Sequence, residues 1–428
     1  MDYAGVLKAL PALESLQLQH SVLGSKGVTV LAPAFVYLPG LKRLDLSWCC
    51  IDSVMQRGDL REKWLGVHNG DVTYDLASAT LDGGGPQAVG SEVNAAEESV
   101  LGDTNRAIAR SCGLLSAPGE SLASGLRHLR CLEVLMLRDK TVGVDCAVAV
   151  AGVLGTLRNL RRLDMHGWIL SGDVAHTTTG SAALAMSLGK HSGLQQLDLS
   201  STNLTCDGVA AVMPTVAQHA QLTQLDLCAG VLSGGVLPEG FRIICEHLGS
   251  FRSIQKLRLG CREAGCKELD ALARGLQPLT CMTELSLTIQ SRAHVSQESF
   301  SNLLEALSGL VKCENLDMQA QMQAACAEGL ACALKCMPGM RQLNLSGNRF
   351  GDAGAAVLTH AFRGLLGLER VSLGNCELTE AGVEGVVGAL EGHVRMHECI
   401  LSGNSVHVRS LPQRVRPTWV SYAGGSGV

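Results

Sequence analysis

The strongest constraint on this chain is a phrase that returns until the sequence nearly ends. Leu194-Gln-Gln-Leu197-Asp-Leu199 is followed by equivalents opening at Leu222, Ile254, Met282, Cys313, Met340, Leu368 and Met396. Successive openings lie 28, 32, 28, 31, 27, 28 and 28 residues apart. Apolar residues hold positions 1, 4 and 6 of each phrase, an alternation that fits a short strand with one buried face. Later in each period apolar residues recur four apart, as in Leu272 and Leu276 or Leu358 and Phe362, which lines them along one face of a helix. Neither element can bury its apolar face alone, so the units must stack into a solenoid. Parallel strands sit ~4.8 Å apart, closer than helices can, so the stack bends with its sheet inside the curve.

The phrase also opens at Leu13, Leu41, Leu132 and Leu160, which gives twelve strands and about twelve repeats. Residues 1–51 form the first block of repeats and start with a helix-like stretch, Ala4 to Leu10, that has no strand of its own. That end has no polar or cysteine-rich cap, so the expectation is that Asp2 and Tyr3 suffice, that the start is a fragment, or that a partner covers it. Leu132 lies 91 residues after Leu41, which leaves an insertion of 63 residues beyond one 28-residue period, assigned to 52–119. Its Asp82-Gly-Gly-Gly-Pro86 and Gly90-Ser-Glu stretches suit loops, and the segment is expected to be largely flexible. The interrupted repeat resumes with a helix over Glu120 to Leu129, and residues 120–406 carry the remaining repeats. Residues 407–428, with proline before Thr418 and glycines near Val428, read as a disordered tail. Pro33 and Pro214 fall in helical halves and are expected to shorten or kink them.

Asn348, Asn404, Cys49 and Cys376 stand eight residues after their openings, and Gly27, Gly208, Gly354 and Gly382 fourteen after. With the LxxLxL phrase, these residues resemble the long leucine-rich repeats of the ribonuclease-inhibitor type. The resemblance covers nearly everything outside the insertion and the tail. It implies an α/β horseshoe with a parallel sheet on the concave face, helices on the convex face, and protein binding rather than catalysis. Lys140, Trp168, Gly230, Arg262, Gln290 and Gln321 depart from the Asn/Cys position, so irregular turns are expected there. The Ran GTPase-activating protein and the repeat regions of NOD-like receptors are similar in repeat type. The first resemblance would imply a small-GTPase partner. Against it, the last residues, 406–428, hold Arg409, Arg414 and Arg416 and no acidic residue, whereas that family carries an acidic tail.

Composition narrows the classes. A net charge of −5 lacks the basic excess of a nucleic-acid binder. No apolar run approaches the ~18 residues of a membrane helix. Seventeen scattered cysteines without an apolar export segment read as reduced thiols in cytoplasm or nucleus. Cys332 and Cys336, four apart with Cys326 nearby, lack zinc-ligand spacing and read as buried small hydrophobes, as do Cys261 and Cys266. His166, His247, His360 and His397 lie in different repeats with no nucleophile paired to them and read as surface histidines. Gly83 to Gly85 lacks the lysine of a phosphate loop. Arg57-Gly-Asp59, Asn203-Leu-Thr205 and Asn344-Leu-Ser346 match extracellular motifs and read as chance in a chain without an export signal. No catalytic residue, metal or cofactor is expected.

The remaining feature is a column. Position 5 of each phrase points to the concave side, and it holds Asp45, Asp164, Asp198, Asp226 and Asp317 among twelve residues. Positions 2 and 3 add Lys42, Arg43, Arg161, Arg162, Lys256, Arg341 and Arg370. Two roles are compatible for this stripe: neutralisation of the aspartates by basic residues on adjacent strands, and contact with a protein partner that presents a basic surface. Asp45, Asp164, Asp198, Asp226, Asp317, Arg43, Arg162, Lys256, Arg341 and Arg370 are accordingly the candidate contact residues.

Overall fold

The computed structural model describes residues 3–21, 23–51, 118–139, 142–170, 179–228, 237–291, 295–406 and 417–422. The expected insertion lies outside these residues apart from Pro118 and Gly119, and so do Arg57-Gly-Asp59, Lys140 and Gly230. The first strands are β1 (Ser15–Gln17), β2 (Arg43–Asp45), β3 (Val134–Met136), β4 (Arg162–Asp164), β5 (Gln196–Asp198) and β6 (Gln224–Leu227). They continue as β7 (Lys256–Arg262), β8 (Glu284–Gln290), β9 (Asn315–Gln319), β10 (Gln342–Asn344), β11 (Arg370–Ser372), β12 (Glu398–Ile400) and β13 (Val420–Ser421). All pair in chain order and in parallel, as one sheet. The chain is a curved α/β solenoid with the sheet inside and the helices outside.

The register follows the phrase. Position-4 residues align from Leu16 through Leu44, Leu135, Leu163 and Leu197 to Leu225, and β2 pairs β3 directly although residues 46–133 intervene. Positions 1, 4 and 6 form the core: Leu41, Leu44 and Leu46, like Leu160, Leu163 and Met165, are fully buried. Each such side chain contributes about 1.5–3 kcal/mol of burial energy. Gly354 and Gly382 sit within the first turns of helices Gly351–Phe362 and Glu380–Leu390. A Cβ on Gly382 would lie 2.2 Å from Asp352 Oδ1, so glycine lets neighbouring outer helices approach.

The Asn/Cys position is a ladder of buried polar groups. Asn348 is fully buried; its Oδ1 accepts from the amides of Ala320 and Met322, and its Nδ2 donates to the carbonyls of Met318 and Leu345. Asn404 repeats the pattern with Cys376, Leu378, Leu373 and Leu401. The thiols of Cys49 and Cys376 reach the matching carbonyls of Leu18 and Leu345 at 3.0 and 3.2 Å. Trp168, expected to give an irregular turn, instead takes over the donor role: its indole N–H donates to the Leu137 carbonyl, the equivalent group of the preceding repeat. At Arg262 and Gln290 a different device operates. Strands β7 and β8 run on to these residues and pair there, so the sheet itself satisfies the backbone. One residue earlier the turn is left-handed: His20, Trp48, Gly167, Ser201, Gly347, Asn375 and Gly403 all have φ between 53° and 81°.

Four expectations need correction. The helix before β3 spans Pro118–Leu126, two residues ahead of its expected start. Part of the expected tail returns to the fold: Val420 and Ser421 add β13 to the edge of β12, and Trp419 and Tyr422 pack on the core. Pro33 does break its helix, which becomes a 3₁₀ turn over Ala32–Tyr37, but helix Cys206–Val216 runs through Pro214. Cys332 and Cys336 are exposed because Leu330, Ala331 and Leu334 already fill the inner face of helix Ala327–Lys335. Cys266 is half-exposed at the first position of helix Cys266–Leu276, whose buried face is filled by Leu269, Leu272 and Leu276.

Candidate concave interaction face

Asp45, Asp164 and Asp198 are the last residues of their strands, Asp226 lies one residue before the end of β6, and Asp317 lies in the middle of β9. In β2, β4, β5 and β6 the side chain folds back onto the amide two residues on. Asp45 Oδ1 accepts from Ser47 N at 3.0 Å, Asp198 from Ser200 N at 2.9 Å and Asp226 from Cys228 N at 2.9 Å. Asp164 accepts from His166 N at 3.3 Å, and Asn344 uses its amide oxygen in the same way toward Ser346. The residue type at position 5 is thus set partly by the turn that follows: a short side-chain acceptor satisfies the first amide released from the ladder.

The second carboxylate oxygens meet arginines. Arg138, at position 7 of the third phrase, places Nε 2.6 Å from Asp164 Oδ2 and a terminal nitrogen 3.3 Å from Asp198 Oδ2. Arg258 lies 3.5 Å from Asp226 Oδ2. Register brings Asp164, Asp198 and Asp226 side by side. Asp164 is 1% exposed and Asp226 5%. Burial first, and then the charge of Asp198, push both carboxyls upward, Asp226 to about 6. Burial also raises Asp317, which holds Ser286 Oγ and Gln319 Nε2 at 3.3 Å each.

The basic residues expected to neutralise the column do something else. Lys42 pairs with Glu14 at 2.7 Å, Lys256 with Glu284 at 3.0 Å, Arg341 with Glu369 at 2.6 Å and Arg370 with Glu398 at 3.8 Å. Positions 2 and 3 lie two or three residues before position 5, so their long side chains meet glutamates at the same level of an adjacent repeat. That repeat is the preceding one for Lys42 and the following one for Lys256, Arg341 and Arg370. Arg43 is exposed and Arg162 half-buried, and neither pairs with a column aspartate among the described residues. Arg138 and Arg258 are the neutralising groups. The alternation that puts positions 3 and 5 on the concave side also puts position 7 there, which is the signal that marks Arg138. Beside the clamp, Ser200 Oγ donates to Asp198 at 2.5 Å and His166 Nδ1 meets the same hydroxyl at 2.8 Å. The His166 ring contacts Trp48 edge to face.

From Arg258 onward the concave face changes character. A groove of about 790 Å³ runs over β8 to β12. Ser286, Asn344, Ser346, Ser372 and Ser402 line its floor with neutral hydrogen-bonding groups, and the ion pairs of Lys256, Arg341 and Arg370 stand along the side where the strands begin. Among the described residues no cluster of three or more His, Cys, Asp or Glu side chains is arranged to hold a metal, and no helix is long and apolar enough to cross a membrane.

The repeat length, the Asn/Cys ladder and the strand-to-helix stack make the chain a leucine-rich-repeat solenoid, similar in repeat type to ribonuclease inhibitor. A family model described as "Leucine Rich repeat" matches residues 39–54 and 340–358. Ribonuclease inhibitor of Sus scrofa is 24% identical over 309 residues, which are 69% of this chain and 57% of the relative. The chain thus spans little more than half the length of that relative. Among solved structures, an internalin of Listeria monocytogenes covers 70% of this chain and 83% of its own, at 14% identity and a TM-score of 0.35. A TLR13–ssRNA13 complex covers 66% of this chain and 34% of its own, at 17% identity and a TM-score of 0.37.

Proposed function

We propose that this chain is a non-enzymatic protein-binding module that holds its partner on the concave face. The observation that supports this reading most is the groove over β8 to β12, lined by the hydroxyl and amide groups of Ser286, Asn344, Ser346, Ser372 and Ser402. Stacked strands offer such groups at a regular ~4.8 Å interval, and a protein surface can meet many of them at once. Asp317, Arg341 and Arg370 belong to this half. Asp45, Asp164, Asp198, Asp226, Arg43 and Arg162 belong to the other half, where the Arg138 clamp leaves less charge for a basic partner. The sixteen described cysteines are free thiols, which supports a reducing compartment, cytoplasm or nucleus. The relative's name makes a ribonuclease the first partner to try.

A photo-crosslinking amino acid at Ser372, inside the groove, is compared with one at Ala356, on the outer helices. The reading expects a partner, ribonuclease or other, to be captured from Ser372 and not from Ala356. Capture from Ala356 alone would sink it.

A further inference from the structure

Three histidines occupy one register position, three residues before a strand phrase opens: His191, His219 and His393. Leu38, Leu129, Leu157, Phe251 and Leu310 hold that position in other repeats, each at most 1% exposed. The histidines are nearly as deep, at 8%, 1% and 7% exposure. His191 Nε2 lies 2.7 Å from the Leu154 carbonyl and His393 Nε2 2.9 Å from that of Phe362. Both carbonyls belong to the last residue of the preceding outer helix. His219 faces the matching carbonyl of Leu188, with neither ring nitrogen in hydrogen-bond geometry. Nδ1 of His191 and of His393 is buried without a partner.

A neutral imidazole with one N–H suits this niche. An imidazolium carries a second N–H and a full charge, and among the described residues the niche holds no acceptor in hydrogen-bond geometry for that N–H. We propose that His191 and His219, in adjacent repeats, form an acid-sensitive seam at which the stack loosens when their rings take up protons. Among the described residues no charged side chain acts on His191, and His191 alone acts on His219, so a charge on the first ring opposes the second. Burial, the larger cause, holds both rings below the ordinary imidazole range. The unfolded chain therefore binds protons first, and the stability these groups support is complete above ~6.5 and falls as pH drops below it. Each repeat packs only on its neighbours, so two weakened contacts in succession divide the solenoid locally rather than spread the strain. The seam lies behind β4, β5 and β6, which carry Asp164, Asp198 and Asp226. Acid would thus disturb the concave column from its outer side. Protonation of Asp226 acts with the opposite sign, because its folded carboxyl already titrates at about 6.

Hydrogen exchange of the whole protein at pH 7.5 and 5.5, corrected for intrinsic rates, tests the seam. Amides of 179–228 are expected to lose protection by up to about tenfold per histidine at pH 5.5, while 266–290 changes less. His191→Gln with His219→Gln keeps a donor but removes the titration, and should abolish the response. His191→Leu with His219→Leu, matching other repeats, serves the same purpose if the glutamine pair folds poorly. Asp226→Asn should retain the response. Equal protection at both pH values in the wild type would overturn the proposal, as would an unchanged response in both double variants or its disappearance in Asp226→Asn.

Discussion

Arg138 reaches past its own strand to hold Asp164 at 2.6 Å, and the carboxylate it holds is almost completely buried. Its other arm extends to Asp198, one strand further. One guanidinium thereby ties β3, β4 and β5 together. Arg138→Ala should leave Asp164 charged and unpaired beside Asp198. The expected loss is about 1–3 kcal/mol at pH 7.5, less than for a fully buried pair because Arg138 stays 37% exposed. Chemical denaturation across a pH series checks it: the loss should shrink as pH falls, because burial and then Asp198 hold the Asp164 carboxyl above its ordinary range and a protonated Asp164 no longer needs the arginine.

Asp226 gives the complementary case. Its folded carboxyl is raised to about 6 by burial first and Asp198 second, above the 3.8 of the free side chain. The fold therefore binds this proton more tightly than the unfolded chain does, and the contribution of this group to stability increases as pH falls through 6 towards 3.8. Asp226→Asn keeps an oxygen for the Cys228 amide and removes the charge. It should stabilise the protein at pH 8 by up to about 2 kcal/mol and have little effect at pH 4.5. A flat difference across that range in urea titrations would contradict the assignment.

Asn348 satisfies four backbone groups in a fully buried site. Asn348→Ala should cost about 3–5 kcal/mol, since the amides and carbonyls it served have no water to turn to. Asn348→Cys should recover part of this, because Cys49 and Cys376 already make the carbonyl contact elsewhere in the stack. The ranking Asn, Cys, Ala in unfolding midpoint is the measurement.

Deleting residues 52–117 and joining Ile51 to Pro118 through a short linker should preserve the main thermal transition. The basis is the direct pairing of Arg43 with Val134 and of Asp45 with Met136, on either side of the segment. A collapse in calorimetry or solubility would show that the segment packs as part of the fold.

What the sequence reveals depends on how far a residue's influence reaches. The strands were legible because Leu at positions 1, 4 and 6 answers to a local alternation, and Asn348 because its spacing from Met340 is fixed. The Arg138 clamp was not legible from any single phrase, since its partners lie one and two strands away. The basic residues at positions 2 and 3 were assigned the wrong partners for a related reason: Glu284, Glu369 and Glu398 at the same level win over aspartates two positions along. Cys332 and Cys336 share a helix face, but spacing alone does not tell which face is turned inward. Val420 and Ser421 carry no repeat phrase, and only the open edge of β12 explains why they are ordered.

The junction of β2 and β3 also bears on the order in which the chain folds. Most neighbouring strands are joined by about one repeat of chain, so their contacts form locally and quickly; β2 must find β3 across residues 46–133. Closing so long a span is slow more than it is costly, because the entropy grows only with the logarithm of its length. Assembly is therefore expected to begin beyond Pro118, with β1 and β2 arriving afterwards as a prepaired unit. During synthesis β1 and β2 emerge before β3, yet would find their place after the strands that follow it.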